Sequence, residues 1–323
     1  MLHHEGYQWH WMADSYPANS VSLRSVAEGN FVVVDITDGR QQVLAEVDYS
    51  SAAMTLYEGA IYLIQAEPWQ VERLDWEGRK AFVRHTRADY YTDAIDYTRL
   101  KILEQFAVEA APTARYARGE VHLVRRIAGY MKIRYYTHEN VGFGPITLPD
   151  DEMHTTAVWW QVEAAALQGA FAQPWRALDG FLGAAYAMHY VAALLTMSEP
   201  HDLGRAVGDS DATWFATVGV EGRGRPQVFG TDGMEPQLAR HFQPTVFLYD
   251  NYPGGMGLST ALYDRRREVV RQAYDLVRAC ACAYGCPACI GPILAAGEPD
   301  GPTPKEAARL VLSLLMGESC DGP

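Results

Sequence analysis

Residues 280–289 read Cys-Ala-Cys-Ala-Tyr-Gly-Cys-Pro-Ala-Cys. Thiolates are soft ligands, and zinc takes four of them in a closed tetrahedron. Cys286 and Cys289 have the two-residue gap of a zinc knuckle, which Pro287 stiffens, and Gly285 permits the tight turn before it. Cys280 and Cys282 stand one residue apart at the end of a helix expected over 257–279, where the chain must change direction. The pattern predicts one structural zinc ion on Cys280, Cys282, Cys286 and Cys289, closed to water, which folds the chain and does not catalyse. Two other chemistries use the same residues. Cys286-Pro287-Ala288-Cys289 alone matches a thioredoxin-type dithiol, the mark of a thiol oxidoreductase. That reading leaves Cys280 and Cys282 idle, and no strand leads into a helix-opening cysteine. An iron–sulfur cluster accepts the same four thiolates and stays open. Cys320 stands apart as a free thiol, and an odd total of five makes a poor disulfide framework.

The second concentration of chemistry is cationic. Arg115, Arg118, Arg125, Arg126, Lys132 and Arg134 face a single acid, Glu120, with His122, Tyr130, Tyr135 and Tyr136 interleaved. Arginine for phosphates beside aromatic rings for bases suits single-stranded DNA. The opposing reading is a solvated strand pair, in which alternate residues point inward. Arg125 and Arg126 cannot then both face outward, and Lys132 and Arg134 share a face. Arg24 reads equally as a phosphate contact or a buried structural arginine. His154, His189 and His201 are conceivable metal ligands, but His189 sits in an apolar helical run and reads as a satisfied core histidine. Asp250 with His241 lacks the nucleophile a hydrolytic pair needs. Gly254-Gly255-Met256-Gly257 joins a strand to a helix without the lysine of a phosphate loop, so a plain turn is expected.

These residues need a scaffold. Strands are expected at Asn30–Ile36, Gln41–Val47, Ile61–Gln65, Trp69–Leu74 and Lys80–Arg84. A turn at Thr37-Asp38-Gly39 and a tight hairpin at Glu77-Gly78 join pairs of them, suggesting a small antiparallel barrel or curled sheet. Gly119–Ile127 and Tyr130–Thr137 read as a strand pair turning at Gly129. Residues 148–160 lead into helical territory, with helices at Val162–Phe171 and Leu178–Met197, the latter ended by Pro200. Strands at Asp211–Val220 and Thr245–Tyr249 precede the helix over 257–279, and 221–226 is a solvated turn. Pro304–Met316 is a last amphipathic helix ended by Gly317. The fold class is α+β. The expected organisation is a remnant of a preceding winged-helix-like domain (1–17), a β-rich barrel-like domain (18–105) and a zinc-binding domain (106–323). The start of the chain reads as the end of something larger.

The chain has 323 residues, 48% of them hydrophobic, enough to bury a substantial core. Its formal charge of -13 argues against a protein that coats nucleic acid, though not against a local basic face. No uninterrupted apolar run reaches the roughly 18–20 residues of a membrane span. The first residues carry His, Glu and Trp where a signal peptide needs a smooth apolar stretch. A cytoplasmic protein without a membrane partner is expected.

Phe247-Leu248-Tyr249-Asp250-Asn251-Tyr252-Pro253-Gly254-Gly255-Met256-Gly257-Leu258-Ser259, followed by a helix and Cys-x-Cys-x-x-x-Cys-x-x-Cys-x-Gly-Pro, resembles one particular zinc-binding domain. It is the C-terminal domain of mitomycin-repair-factor-type helicases, superfamily 2 DEAD/DEAH-box enzymes related to the Hrq branch of RecQ-like helicases. Ser15-Tyr16-Pro17, Val21–Ser25, Leu56–Tyr62, Asp89–Thr92 and His154–Ala157 are similar to the stretch that follows the family's two motor domains. The resemblance implies a part of an ATP-dependent 3′-to-5′ DNA helicase of DNA repair, in which the zinc domain serves the motor. The sequence departs from that family in lacking both the G-x-x-x-x-G-K-[ST] loop for phosphates and the acidic box for magnesium. ATP and magnesium would then belong to motor domains outside this sequence, and this chain would turn over no ATP by itself. Its expected partners are those motor domains, in the same chain or a separate protein, and weakly held single-stranded DNA. A related domain also occurs in standalone partners of helicases in anti-phage defence, which makes an adaptor the alternative reading.

Overall fold

The computed structural model describes residues 2–11, 29–39, 41–137, 139–172, 177–218, 226–230, 243–291 and 301–317. In chain order the elements are β1 (Leu2–Glu5), β2 (Gln8–Trp11), β3 (Asn30–Asp35), β4 (Gln42–Asp48), α1 (Tyr49–Thr55), β5 (Ile61–Ile64), β6 (Glu67–Asp75), β7 (Lys80–His85), β8 (Tyr90–Ala110), β9 (Ala114–Arg134), β10 (Asn140–Pro145), β11 (Asp151–Val162), α2 (Ala164–Ala170), α3 (Ala177–Thr196), β12 (Leu203–Gly208), β13 (Trp214–Val218), β14 (Pro226–Gly230), β15 (Thr245–Asp250), α4 (Leu258–Asp264), α5 (Arg266–Ala279) and α6 (Pro304–Leu315). The α+β class holds. Contacts divide the chain into two units, Met1–Ala94 with Gly129–Leu148, and Ile95–Ala128 with Pro149–Pro323. The division therefore runs through the long strands β8 and β9.

In the first unit five strands form a sheet in the order β4-β3-β7-β6-β5. Alternation of Phe31, Val33, Val71, Ala81 and Val83 supplies its buried face, which α1 and the Leu56-Tyr57 segment cover. The sheet is not wholly antiparallel, as the turn signals suggested: β3 and β7 pair in parallel. After β4 the chain turns into α1, a helix hidden in the strand-like region, and β5–β7 then bring β7 in alongside β3. Tyr130, Ile146 and Leu148 join this core, which explains why residues so far along the sequence belong to the first unit. Tyr130 stacks on Tyr57, with ring centroids 5.0 Å apart.

Gly129 is not a turn. β9 runs unbroken through it for 21 residues, pairing with β11 from Ala114 to Arg125 and with β10 from Gly129 onward. The ladder changes partner there while the strand continues. Residues 151–162, expected to lead into a helix, are strand β11, because Ala157, Val158, Trp159 and Trp160 are buried on alternate faces. A strand covered on both sides shows a continuous apolar run instead of alternation.

In the second unit β9, β11, β15, β12, β13 and β14 follow one another in a sheet. Tyr116, Val158, Trp160, Val162, Val246 and Leu248 face the helical layer. Ala117, Val121, Leu123, Trp159, Phe247 and Tyr249 face a smaller core with Leu100 of β8. The helix expected over 257–279 is two, α4 and α5, broken at Arg265, where the backbone leaves helical angles (φ −104°, ψ 17°). In α5 Val269, Val270, Ala273 and Val277 are buried at helical spacing. Only α3 among the described helices has the length and apolarity of a membrane span, and two thirds of that stretch is buried. Here it is the core helix.

Candidate metal centre

Helix α5 delivers Cys280 to the site as its C-cap, with backbone angles already extended (φ −64°, ψ 133°). Ala281 continues to Cys282, and Gly285 takes φ 121° to reverse the chain, a left-handed value few side chains tolerate. From there Cys286 and Cys289 form a tight knuckle. The Cys286 carbonyl accepts from the amides of Cys289 (3.0 Å) and Ile290 (3.1 Å), and the Cys286 amide points at Cys289 Sγ (3.4 Å).

The four sulfurs converge. Sγ separations are 3.5 Å for Cys280–Cys282, 3.6 Å for Cys280–Cys286, 3.6 Å for Cys282–Cys289 and 3.7 Å for Cys286–Cys289, and all four lie within 4.8 Å of one another. Ligands about 2.3 Å from a tetrahedral zinc stand about 3.8 Å apart, close to these four separations, so the donor set and its spacing fit zinc. A disulfide needs about 2.05 Å, and no pair approaches it. The amide of Cys282 helps hold the Cys280 thiol down to about 7, while burial pushes Cys289 up to about 12 and raises Cys282. A metal that takes all four as thiolates must displace protons, so its affinity rises with pH.

The knuckle docks on the helical layer through Ile290, which is buried and packs against Gly285 and against Gly183 of α3. A side chain at either glycine would meet it. Helix α6 seals the other side. Thr303 caps it in a reciprocal box with Glu306. The Lys305 amide donates to Tyr284 O (3.0 Å), and the Lys305 ammonium reaches Cys280 O (2.6 Å) and Cys282 O (2.7 Å). Lys305 lies 16 positions beyond Cys289, the last of the cluster, and no spacing rule links it to the four cysteines.

The Asp250–Ser259 segment is structural scaffolding. Asp250 is fully buried and accepts from the amides of Met256 (2.6 Å), Leu258 (3.2 Å) and Ser259 (3.0 Å). Burial pushes its carboxyl upward, and these amides pull against that shift. Thr155 donates to the carbonyls of Asp250 and Tyr252, and Tyr252 donates to Asp202 (3.0 Å). The lone pairs of Asp250 are thus spent on closing the Asn251–Gly257 turn, whose Gly254, Gly255 and Gly257 all have positive φ. His241 lies outside the described residues. His189 is the buried core histidine expected, its Nε2 2.9 Å from the carbonyls of Pro200 and Leu203, and burial lowers its pKa. His154 is exposed and pairs with Glu120.

The cationic stretch does not form one bare surface. Arg125 turns inward, its side chain 12% exposed, and donates to Asn251 Oδ1 (2.6 Å) and Tyr249 (3.4 Å). Its neighbour Arg126 faces out, 63% exposed, and makes a bidentate pair with Asp150 at 2.8 Å. Arg115 lies 3.9 Å from Glu163. Arg118 sits over Phe106 and Tyr263. In the first unit Lys132 lies over Tyr90, and Arg134 pairs with Asp89 and Glu139. Arg24 and Cys320 lie outside the described residues.

Comparison with known proteins places this geometry. Residues 184–290, from mid-α3 through all four cysteines, match the family model of the MrfA Zn-binding domain. The chain is 33% identical over 293 residues to the uncharacterized ATP-dependent helicase YprA of Bacillus subtilis, covering 90% of this chain and 35% of that protein. It is 24% identical to the ATP-dependent helicase HRQ1 of Saccharomyces cerevisiae, over 99% of this chain and 28% of that one. In structure it resembles the DUF1998 helicase MrfA bound to DNA, with a TM-score of 0.55 at 30% identity, covering 97% of this chain and 37% of that one. The chain thus spans about a third of the length of the helicases it matches. The cysteine cluster and this match support a structural zinc ion. Residues 184–290 match the MrfA Zn-binding domain family, and the chain as a whole is homologous to the C-terminal region of MrfA- and Hrq-type helicases.

Proposed function

We propose that this chain is the zinc-stabilised accessory C-terminal region of an ATP-dependent superfamily 2 DNA helicase of DNA repair, contributing contacts to the motor or to DNA. The observation that carries this reading is the sulfur tetrahedron of Cys280, Cys282, Cys286 and Cys289 inside the segment that matches the MrfA family. In this reading those four are the zinc ligands, and ATP and magnesium are handled by the motor. Single-stranded DNA is held weakly through Arg115, Arg118 and Arg126, the cations of the 115–134 stretch that lie in the second unit and are not turned inward as Arg125 is. Neutralising about three phosphates, each contributing a slope near 0.7, would cost roughly a hundredfold in affinity per tenfold rise in salt. A second reading, an adaptor for a separate motor protein, is favoured by exposed Tyr190 and Leu194 on α3 and Met197 just past its end, the last two 75% and 94% exposed.

The test is metal analysis, ATP turnover and fluorescence anisotropy with a labelled oligonucleotide on the purified chain. One zinc per chain, no turnover and weak salt-dependent binding fit the reading. Zinc without any DNA affinity moves the weight to the adaptor. A chain that folds and keeps its stability in chelator, with no bound zinc, overturns both.

A further inference from the structure

Lys305 occupies an unfavourable position. It follows Pro304 in the first turn of α6, where the helix dipole favours acids and opposes a cation. The helix does not need it to start, because Thr303 and Glu306 already form the capping box. The side chain is half-buried and turns back onto the cysteine loop, with Nζ 2.6 Å from Cys280 O and 2.7 Å from Cys282 O. Among the described residues it has no carboxylate partner. An ammonium taken partly out of water and bonded only to neutral carbonyls lacks a counter-charge. The two carbonyls belong to residues that supply two of the four sulfurs. Four thiolates around Zn²⁺ carry a net charge of −2, and the peptide groups that hold Lys305 are those that aim Cys280 and Cys282 at the metal.

We propose that Lys305 is the counter-cation of the zinc centre, a positioning residue that offsets the tetrathiolate charge and orients the 280–282 segment. The inference rests on the reading of the four cysteines as zinc ligands. It makes α6 and the knuckle one cooperative piece: the helix brings the charge the metal site needs, and the loaded site supplies the anion that holds the start of the helix.

The test compares wild type with Lys305→Met, Lys305→Gln and Lys305→Arg. Zinc affinity is measured by competition with a chromogenic chelator at fixed pH, and the melting temperature is recorded for each zinc-loaded protein. Outer-shell partners of metal ligands typically contribute about 10–100-fold to affinity. Lys305→Met is expected to lose that factor. Lys305→Gln, which keeps a donor for the carbonyls without the charge, is expected to lose most of it, and Lys305→Arg to stay within a few-fold of wild type. If Lys305→Met does not fold, the Gln and Arg variants decide between charge and donor. Wild-type zinc affinity in Lys305→Gln overturns the counter-cation role, as do variants that lower the melting temperature while leaving zinc affinity unchanged. A wild-type chain without zinc is a different failure, visible before any variant is compared, and it overturns the metal reading on which this one stands.

Discussion

Helices α3 and α6 meet at Gly180, and replacing that glycine with alanine pits two effects of known size against each other. Within a helix Gly→Ala is favourable by about 1 kcal/mol, because alanine costs less backbone entropy. At this position, however, the new Cβ would lie 2.5 Å from Ala307 O, 2.7 Å from Ala307 C and 2.9 Å from Val311 Cγ2. The first two are backbone atoms of α6, so no side-chain rotation relieves them and the helix itself must move. A gap of about 0.5–1 Å between packed surfaces forfeits a quarter to a half of each dispersion contact it opens. Inserted methyls in a well-packed core cost about 1–3 kcal/mol. If packing wins, the net loss is up to about 2 kcal/mol. At roughly 2–4 °C per kcal/mol for a domain of this size, the melting temperature should fall by up to about 8 °C. Gly169 in α2 is the matched control. Its Cβ would meet nothing within 4 Å, so Gly169→Ala should raise stability by up to about 1 kcal/mol. Thermal unfolding of the zinc-loaded proteins, followed by circular dichroism, reads both. If Gly180→Ala melts at or above wild type, α6 does not rest on α3 as closely as these backbone distances describe.

Further outcomes are expected at the cysteine cluster, the α6 cap and the Arg125–Arg126 pair. Cys286→Ser should release zinc and sharply lower the melting temperature, because the metal's binding energy is folding energy here; elemental analysis and thermal unfolding check it, with Cys320→Ser as the unaffected control. Thr303→Ala should cost about 1 kcal/mol in denaturant unfolding through loss of the α6 cap. The Thr303 amide first, and then its hydroxyl, hold the Glu306 carboxyl below its ordinary value. That contribution is complete above about pH 4.5 and is lost as pH falls through the lowered folded value, so Glu306→Gln should flatten the acid side of the stability profile. Arg125→Met should cost about 1–3 kcal/mol, since it removes a charge-assisted hydrogen bond to the half-buried Asn251 amide oxygen. Arg126→Met, at an exposed pair, should stay within about 1 kcal/mol, and anisotropy should show it as the one of the two that weakens DNA binding.

The metal cluster was legible in sequence because its logic is local. Four thiols within ten residues can reach one point by turns that Gly285 and Pro287 already allow, so residue type and spacing suffice. The helices at 177–196 and 304–315 were legible for the same reason: period, cap and stop signals sit within the segment they describe. Signals that depend on a distant neighbour were not. Gly129 looks like a turn in the sequence, yet β9 continues through it as β10 replaces β11 as its partner. Trp159 and Trp160 read as approaching a helix because a strand buried on both faces loses its alternation, and which face meets α5 is known only once the helices are in place.

Charge shows the same division. Alternation along a strand predicts that Arg125 and Arg126 point opposite ways, and they do. Which one turns inward depends on Asn251 and Tyr249, brought alongside by a strand more than 120 positions away. Lys305 is the extreme case. By sequence it is a solvated lysine near the start of a helix. Only the packing of α6 against α3 and the knuckle sets its ammonium on the carbonyls of Cys280 and Cys282. The sequence by itself determined the cluster of four cysteines, because covalent neighbours share one local geometry. The tertiary structure alone decided what surrounds it, because burial and electrostatic pairing are properties of residues that meet only when the chain is folded.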